Sequence, residues 1–337
     1  MALHTKESRL IGFLKSEAGA ILLWLAASLF LAALFTPYLY AAGKNLAHTA
    51  EIRDFSGLVE SIANSARRAK PDRFFSRCLL VSALALLPAL IRRVKNIPRR
   101  ENANQYALRT LTWPERFVHS STGFLIAATI LAALGLVLHF TGAAIPKDTT
   151  LSAGKIFSKA LIPALGAGVI EEVVFRGLLL GLWLRACTMW TAWAGSALTF
   201  AFMHFLSPPP GVEIANPYAW HSGFELLAST LGHFSNPLFF VTDFATLALL
   251  GLLLAYCRTR TFSLWLPIGI HAGLVFALKT FSLTHNINPA SPLHPWLIGM
   301  DLKSGILPLV FLAICFLISI AAVRFLTTVR NFNPASR

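Results

Sequence analysis

The chain has 337 residues, 55% of them hydrophobic and only 13% charged, with a mean hydropathy of +0.63. A soluble or disordered chain would carry about twice that share of charge, so both classes are excluded in favour of a polytopic membrane protein. A net charge of +14 does not indicate nucleic acid here: the cations stand mostly between apolar runs, where membrane orientation and anionic lipid account for them.

The expected fold is an all-α membrane bundle of about eight transmembrane helices. A basic tail with Lys6, Arg9 and Lys15 precedes the first span, about 18–38. No small-residue cleavage site clearly follows that span, so it is read as retained. Residues 39–73 are polar, and 50–66 has an amphipathic pattern suited to a membrane surface. The second span, about 74–91, has Arg77 near its start, placed to snorkel. A basic loop with Arg92, Arg93, Lys95, Arg99, Arg100, Arg109 and Arg116 leads to the third span, about 122–140. Residues 1–149 are thus a transmembrane region of about three spans without a catalytic motif, and residues 150–337 form a second region that holds the chemistry.

The fourth span opens at Lys155 and runs to about Arg185, with Pro163 and Gly166 as bend points. The fifth covers about 189–206. It is stopped by Ser207, Pro208, Pro209, Pro210 and Gly211, which forbid helix continuation. The sixth, about 237–257, is followed by a short turn with Arg258 and Arg260; the seventh covers about 262–280 and the eighth about 306–325. Eight spans put both termini on one side, and the distribution of Lys and Arg favours N-in, C-in, although the cations of 39–73 dissent. Cys78, Cys187, Cys257 and Cys315 lie in or beside apolar runs without CxxC spacing. They read as small buried hydrophobes, neither disulfides nor a metal cluster.

Glu171, Glu172 and Arg176 sit inside the fourth span. A charge at the bilayer centre costs about 3 kcal/mol or more, which makes such groups functional candidates. On a helix, Glu172 and Arg176 are four apart and share a face, with the carboxylate in the favourable N-terminal position. Glu171 points about 100° away and is left for chemistry. The plainer alternative is an ion pair that only joins helices. His204 lies near the end of the fifth span and His271 midway along the seventh. At about 1.5 Å per residue, Glu171, His204 and His271 stand about 21, 24 and 15 Å from the presumed inner helix ends, differences that tilt absorbs. One carboxylate and two imidazoles can then share a pocket. Two mechanisms are open to them: Glu171 as general base on a water with histidine help, or a His₂Glu zinc site made of Glu171, His204 and His271. Asp243 reads as structural, and the tryptophans near span ends as an interfacial belt.

Three stretches now form a pattern: Glu171-Glu172-Val173-Val174-Phe175-Arg176 as EExxxR, Phe200 to His204 as FxxxH, and Leu264 to Gly273 around His271. In order and spacing they resemble the CPBP family, the CAAX proteases and bacteriocin-processing (Abi) enzymes, over about residues 150–285. The resemblance implies a glutamate-type intramembrane endopeptidase, formerly classed as a metalloprotease, with residues 150–337 as its protease core. Carried over, Glu171 and His204 activate water, His271 helps to bind the oxyanion, and Glu172, Arg176 and Phe200 support the site. No cofactor is then required, with zinc as the alternative. The implied partners are the lipid bilayer and a membrane-associated protein or peptide substrate, not nucleic acid, and the implied location is the bacterial inner (plasma) membrane. One departure is Val275, where the family often has Asn or Asp. It favours a competing reading, a non-catalytic immunity or scaffold protein of the same fold. A proton-coupled transporter using Glu171 and Glu172 is a third reading, weakened by the absence of an internal repeat.

Overall fold

Apolar runs bounded by strong start signals become helices. In the computed structural model, which describes residues 15–53, 56–97, 106–148, 150–206, 208 and 212–331, Ser16 caps helix α1 (Glu17–Ile52) by accepting a hydrogen bond from the Gly19 amide at 3.1 Å. Pro71 opens α3 (Pro71–Lys95), where its missing N–H costs nothing. Thr112 and Glu115 form a capping box that starts α4 (Trp113–Phe140), with the Thr112 amide donating to Glu115 Oε2 at 2.8 Å. Lys6, Arg9, Arg99, Arg100 and most of the 207–211 break lie outside the described residues.

Among the described residues, six helices are long and apolar enough to cross a membrane: Glu17–Ile52, Pro71–Lys95, Trp113–Phe140, Phe240–Thr261, Trp265–Thr284 and Ile306–Thr328. The chain is an integral membrane protein of helical-bundle type. The two expected spans outside this set are those that carry the EExxxR and FxxxH motifs. The first is interrupted and charged, and the second, α7 (Met189–His204), has 16 residues against the roughly 20 that a span needs.

The chain divides into two compact units. One takes Met1–Pro98 and Met203–Asn236. Here α1 runs on to Ile52 where the hydropathy suggested an end at 38, because the polar residues that follow are not helix breakers. Its 36 residues reach about 54 Å, well beyond the hydrocarbon thickness. The amphipathic segment is helix α2 (Leu58–Arg68), with Ala63 and Ala66 buried and Leu58, Val59 and Ile62 exposed. Lys44 Nζ donates to the Ala66, Arg67 and Ala69 carbonyls at the C-terminal end of α2, as a cation there should. Helix α8 (Ser222–Gly232) was not foreseen. Its buried stripe Ser222, Gly223, Leu226 and Thr230 fits one helix face, but eleven residues are too few to stand out as a span. Leu226 joins Ala32, Ala33, Phe75 and Cys78 in this unit's core, and Gly223 sits directly on the Ala33 carbonyl.

The other unit takes Arg99–Phe202 and Pro237–Arg337. It contains α4, strand β1 (Ala144–Pro146), α5 (Ala153–Glu172), a π-helical turn (Val173–Leu179), α6 (Leu180–Ala186) and α7 to Phe202. These are followed by a second π-turn (Phe240–Phe244), α9 (Ala245–Thr261), α10 (Trp265–Thr284), strand β2 (His285–Ile287) and α11 (Ile306–Asn331). Strands β1 and β2 pair antiparallel, Ala144 with Ile287 and Pro146 with His285, and tie the ends of α4 and α10 together. Between its ends α10 packs on α4 and α5 through small residues, the usual device where no hydrophobic effect drives helices together. A Cβ at Gly123 would lie 2.6 Å from the Leu266 carbonyl oxygen and one at Gly168 3.0 Å from Ala272 Cβ; Gly269 rests on the Ser120 carbonyl and Gly273 on that of Phe124.

This packing holds α10 and the C-terminal part of α5 at a fixed separation, and it yields a first expected result. Gly269→Ala should destabilise the protein by about 1–3 kcal/mol through overpacking, read as a lowered Tm in detergent. Gly181→Ala, whose Cβ meets no atom within 4 Å, should leave it unchanged or raised. Equal Tm values for the two variants would show that the close approach at Gly269 is not a packing constraint.

Candidate active site

Glu171 and Glu172 are the last two residues of α5, just before the backbone widens into the π-turn. Such turns are rare and occur mostly at functional positions. Arg176 lies within it. Its Nη1 donates to Glu172 Oε1 at 3.0 Å, and both side chains are fully buried. The pairing expected from the four-residue spacing therefore forms. Arg176 Nη2 donates to the Gly251 carbonyl at 3.4 Å, and the guanidinium lies 4.3 Å from the ring centroid of Phe200. A buried cation is thus met by a carboxylate, a carbonyl and an aromatic face, which together offset its desolvation. Phe200 is fully buried and its ring also stands edge-on to the His271 imidazole at 6.0 Å.

His271, buried on α10, completes the arrangement. Its Nδ1 lies 2.8 Å from Glu172 Oε1. Glu172, paired with Arg176, is an acceptor, so Nδ1 of the ring is the donor. Nε2 is then directed to the other carboxylate, 3.8 Å from Glu171 Oε2. That distance is too long for a direct hydrogen bond and short enough for a single water or substrate atom to touch both groups. The two glutamates differ sharply in environment: the Glu172 side chain is 0% exposed, that of Glu171 32%. Glu172 is enclosed and committed to two partners, whereas Glu171 reaches accessible space.

The structure therefore brings together Glu171, Glu172, Arg176, Phe200 and His271, all in the second unit. His204 is the exposed last residue of α7 and belongs to the Met203–Asn236 segment of the first unit. Val275 is half-buried one turn beyond His271. Among the described residues no group of three or more His, Cys, Asp or Glu side chains is arranged to hold a metal ion. The Glu172–His271 bond is the feature that sequence reasoning did not supply. The two residues are 99 positions apart, and the spacing rule that pairs Glu172 with Arg176 says nothing of a second partner. Phe200 did carry a signal, as the first residue of FxxxH.

Comparison with known proteins gives one match: the family model described as type II CAAX prenyl endopeptidase Rce1-like covers residues 153–277. No curated protein and no solved structure matches. The matched stretch begins with α5, ends within α10, and contains all three motifs.

Proposed function

We propose that this protein, whose residues 153–277 match the family model of the type II CAAX prenyl endopeptidases, is an intramembrane endopeptidase that hydrolyses a peptide bond in a membrane-associated protein or peptide. The reading is supported above all by one observation: a single imidazole stands between an enclosed, ion-paired glutamate and an accessible one. Glu171 removes a proton from water as the oxygen attacks the scissile carbonyl. His271 Nε2 receives that proton from Glu171 through one bridging water or substrate atom. The imidazolium so formed is stabilised by Glu172, which also fixes its orientation, as a buried carboxylate does for a catalytic histidine. Nε2–H then donates to the oxyanion and finally passes the proton to the leaving nitrogen. Arg176 holds the Glu172 carboxylate in place, and Phe200 supports both groups. His204 is assigned a share in water activation by the FxxxH motif.

Membranes from cells expressing the wild-type chain and the Glu171→Ala variant should differ in newly formed protein termini. Their identity would give the substrate, and identical termini would overturn the protease reading. Val275 favours a second reading, a non-catalytic scaffold of the same fold, and the same comparison decides between the two.

Metal dependence supplies a separate expectation. Activity of the purified protein should survive prolonged treatment with a strong chelator, with His204→Ala lowering turnover nearly as far as loss of the base, since groups acting as a unit do not add. Loss of activity on chelation and its return with added Zn²⁺, with about one metal per chain by elemental analysis, would replace water activation by Glu171 with a zinc mechanism.

A further inference from the structure

A groove of about 640 Å³ runs along the contact of α4 and α10, apart from the glutamate–histidine site. One end lies at Ala128 and Phe276 and the other, the mouth beside the β1–β2 pair, at His139 and His285, with Thr129, Ala132 and Leu136 exposed along the length between them. Apolar and small side chains make most of the wall; Gly135 keeps it open beside Phe281, whose ring would lie 3.2 Å from a Cβ there. The mouth is basic. The His139 and His285 rings meet edge-to-face at 5.3 Å, and His285 stacks on Phe281 at 5.2 Å. The Lys147 amide bonds to the Thr284 carbonyl at 2.7 Å and its ammonium donates to the Ser282 carbonyl, which places that cation beside the mouth with further N–H donors left for an anion. No acidic residue is among those lining the groove.

Two further features indicate what would occupy it. From Ala128 to His139 the helix rises about 16 Å, roughly half of the ~30 Å hydrocarbon thickness, so the groove has the depth of one leaflet. About a turn and a half below the mouth, Thr280 faces the groove, and its buried hydroxyl makes no hydrogen bond within the described residues. Thr284, one turn further on, donates instead to the Thr280 carbonyl at 2.9 Å. A donor is thus held ready part-way down an apolar channel.

We propose that this groove binds an anionic glycerophospholipid. The phosphate sits among His139, His285 and Lys147, a glycerol ester carbonyl accepts from Thr280, and one acyl chain runs down towards Ala128 and Phe276. Burial, together with His139 and Lys147, holds the His285 pKa below the ordinary histidine value. The lowered value reduces the His285 ring's share of the positive charge at the mouth relative to Lys147. An anion favours the protonated ring, so binding should tighten as pH falls through the histidine range.

The test is lipid titration of the full-length protein in detergent, with Tm and native mass spectrometry as readouts. Phosphatidylglycerol should bind about fivefold or more tighter than phosphatidylcholine with the same chains, the scale of one basic group near an anionic headgroup. Lys147→Gln, a change of one half-buried side chain, should remove most of that preference. Gly135→Leu should abolish binding of both lipids by filling the channel; should it fail to fold, Lys147→Gln and Thr280→Val still decide, the latter weakening both lipids without altering the preference between them. Equal binding of the two lipids, or an unchanged preference in Lys147→Gln, overturns the headgroup assignment. Inorganic phosphate reproducing the full Tm shift would show an anion site without a chain. A neutral isoprenoid alcohol doing so would show a chain groove without a headgroup. Either result overturns the proposal.

Discussion

Glu171→Gln should lower turnover by about 10²–10⁴-fold, the contribution of a positioned general base, with no loss of thermal stability. The amide is isosteric with the carboxylate and cannot take a proton from water. Because the Glu171 side chain is 32% exposed, its neutralisation strands no enclosed charge, and the Glu172–Arg176–His271 contacts do not depend on it. The measurement is cleavage of a membrane-anchored reporter in proteoliposomes, with Tm recorded on the same preparations. Retention of more than about a tenth of wild-type turnover would remove Glu171 from the role of base. A large fall in Tm would mean that it is a structural group.

Glu172→Gln should do the opposite: it should destabilise the fold strongly and impair turnover as a consequence of lost orientation. Its carboxylate is fully buried and faces Arg176 at 3.0 Å and His271 at 2.8 Å through one oxygen. Removing its charge leaves the Arg176 cation in the interior facing the Gly251 carbonyl and the Phe200 and Phe175 rings, with no carboxylate in direct hydrogen bond among the described residues. The expected cost is about 3–5 kcal/mol, the usual consequence of breaking a buried pair from one side. A second variant separates stability from chemistry. Glu172→Gln combined with Arg176→Met removes both charges and should recover much of the Tm, since a buried pair can often be replaced by apolar side chains at little cost. Turnover should stay low, because nothing then fixes the His271 ring. Full recovery of activity in the double variant would show that Glu172 serves only as a counter-ion.

These two results depend on how the site is assembled, and only part of that assembly was readable along the chain. The long apolar runs announce their helices, and the four-residue spacing of Glu172 and Arg176 announces their pairing, because both are local consequences of helical geometry. The continuation of α1 to Ile52 was missed because hydropathy falls where helix propensity does not. Helix α8 was missed because eleven residues give a buried stripe but no span. The partnership of Glu172 with His271 arises from the close approach of α5 and α10, which small residues such as Gly168 and Ala272 permit. No periodicity within either segment encodes it. The π-turn was equally invisible: Val173, Val174 and Gly177 within Val173–Leu179 lower helix propensity but do not say that the backbone widens by one residue.

That turn bears on how the chain can change in length. Deleting any one residue from 173 to 179 would let the backbone close into regular α-helix, a local gain in hydrogen-bond geometry. Everything after the deletion would then keep close to its present phase, because the widened turn already absorbs the surplus residue. Leu180 and Leu184 could keep the cluster they form with Ala192, Trp193 and Ala255. A loss upstream of Arg176 would nevertheless bring it one position nearer to Glu172 along the chain and carry its guanidinium off that carboxylate. Many single side chains in this stretch can be exchanged, Val173 among them, since it is half exposed. The residue count between Glu172 and Arg176 cannot be changed: it sets the spacing that brings the guanidinium onto the carboxylate.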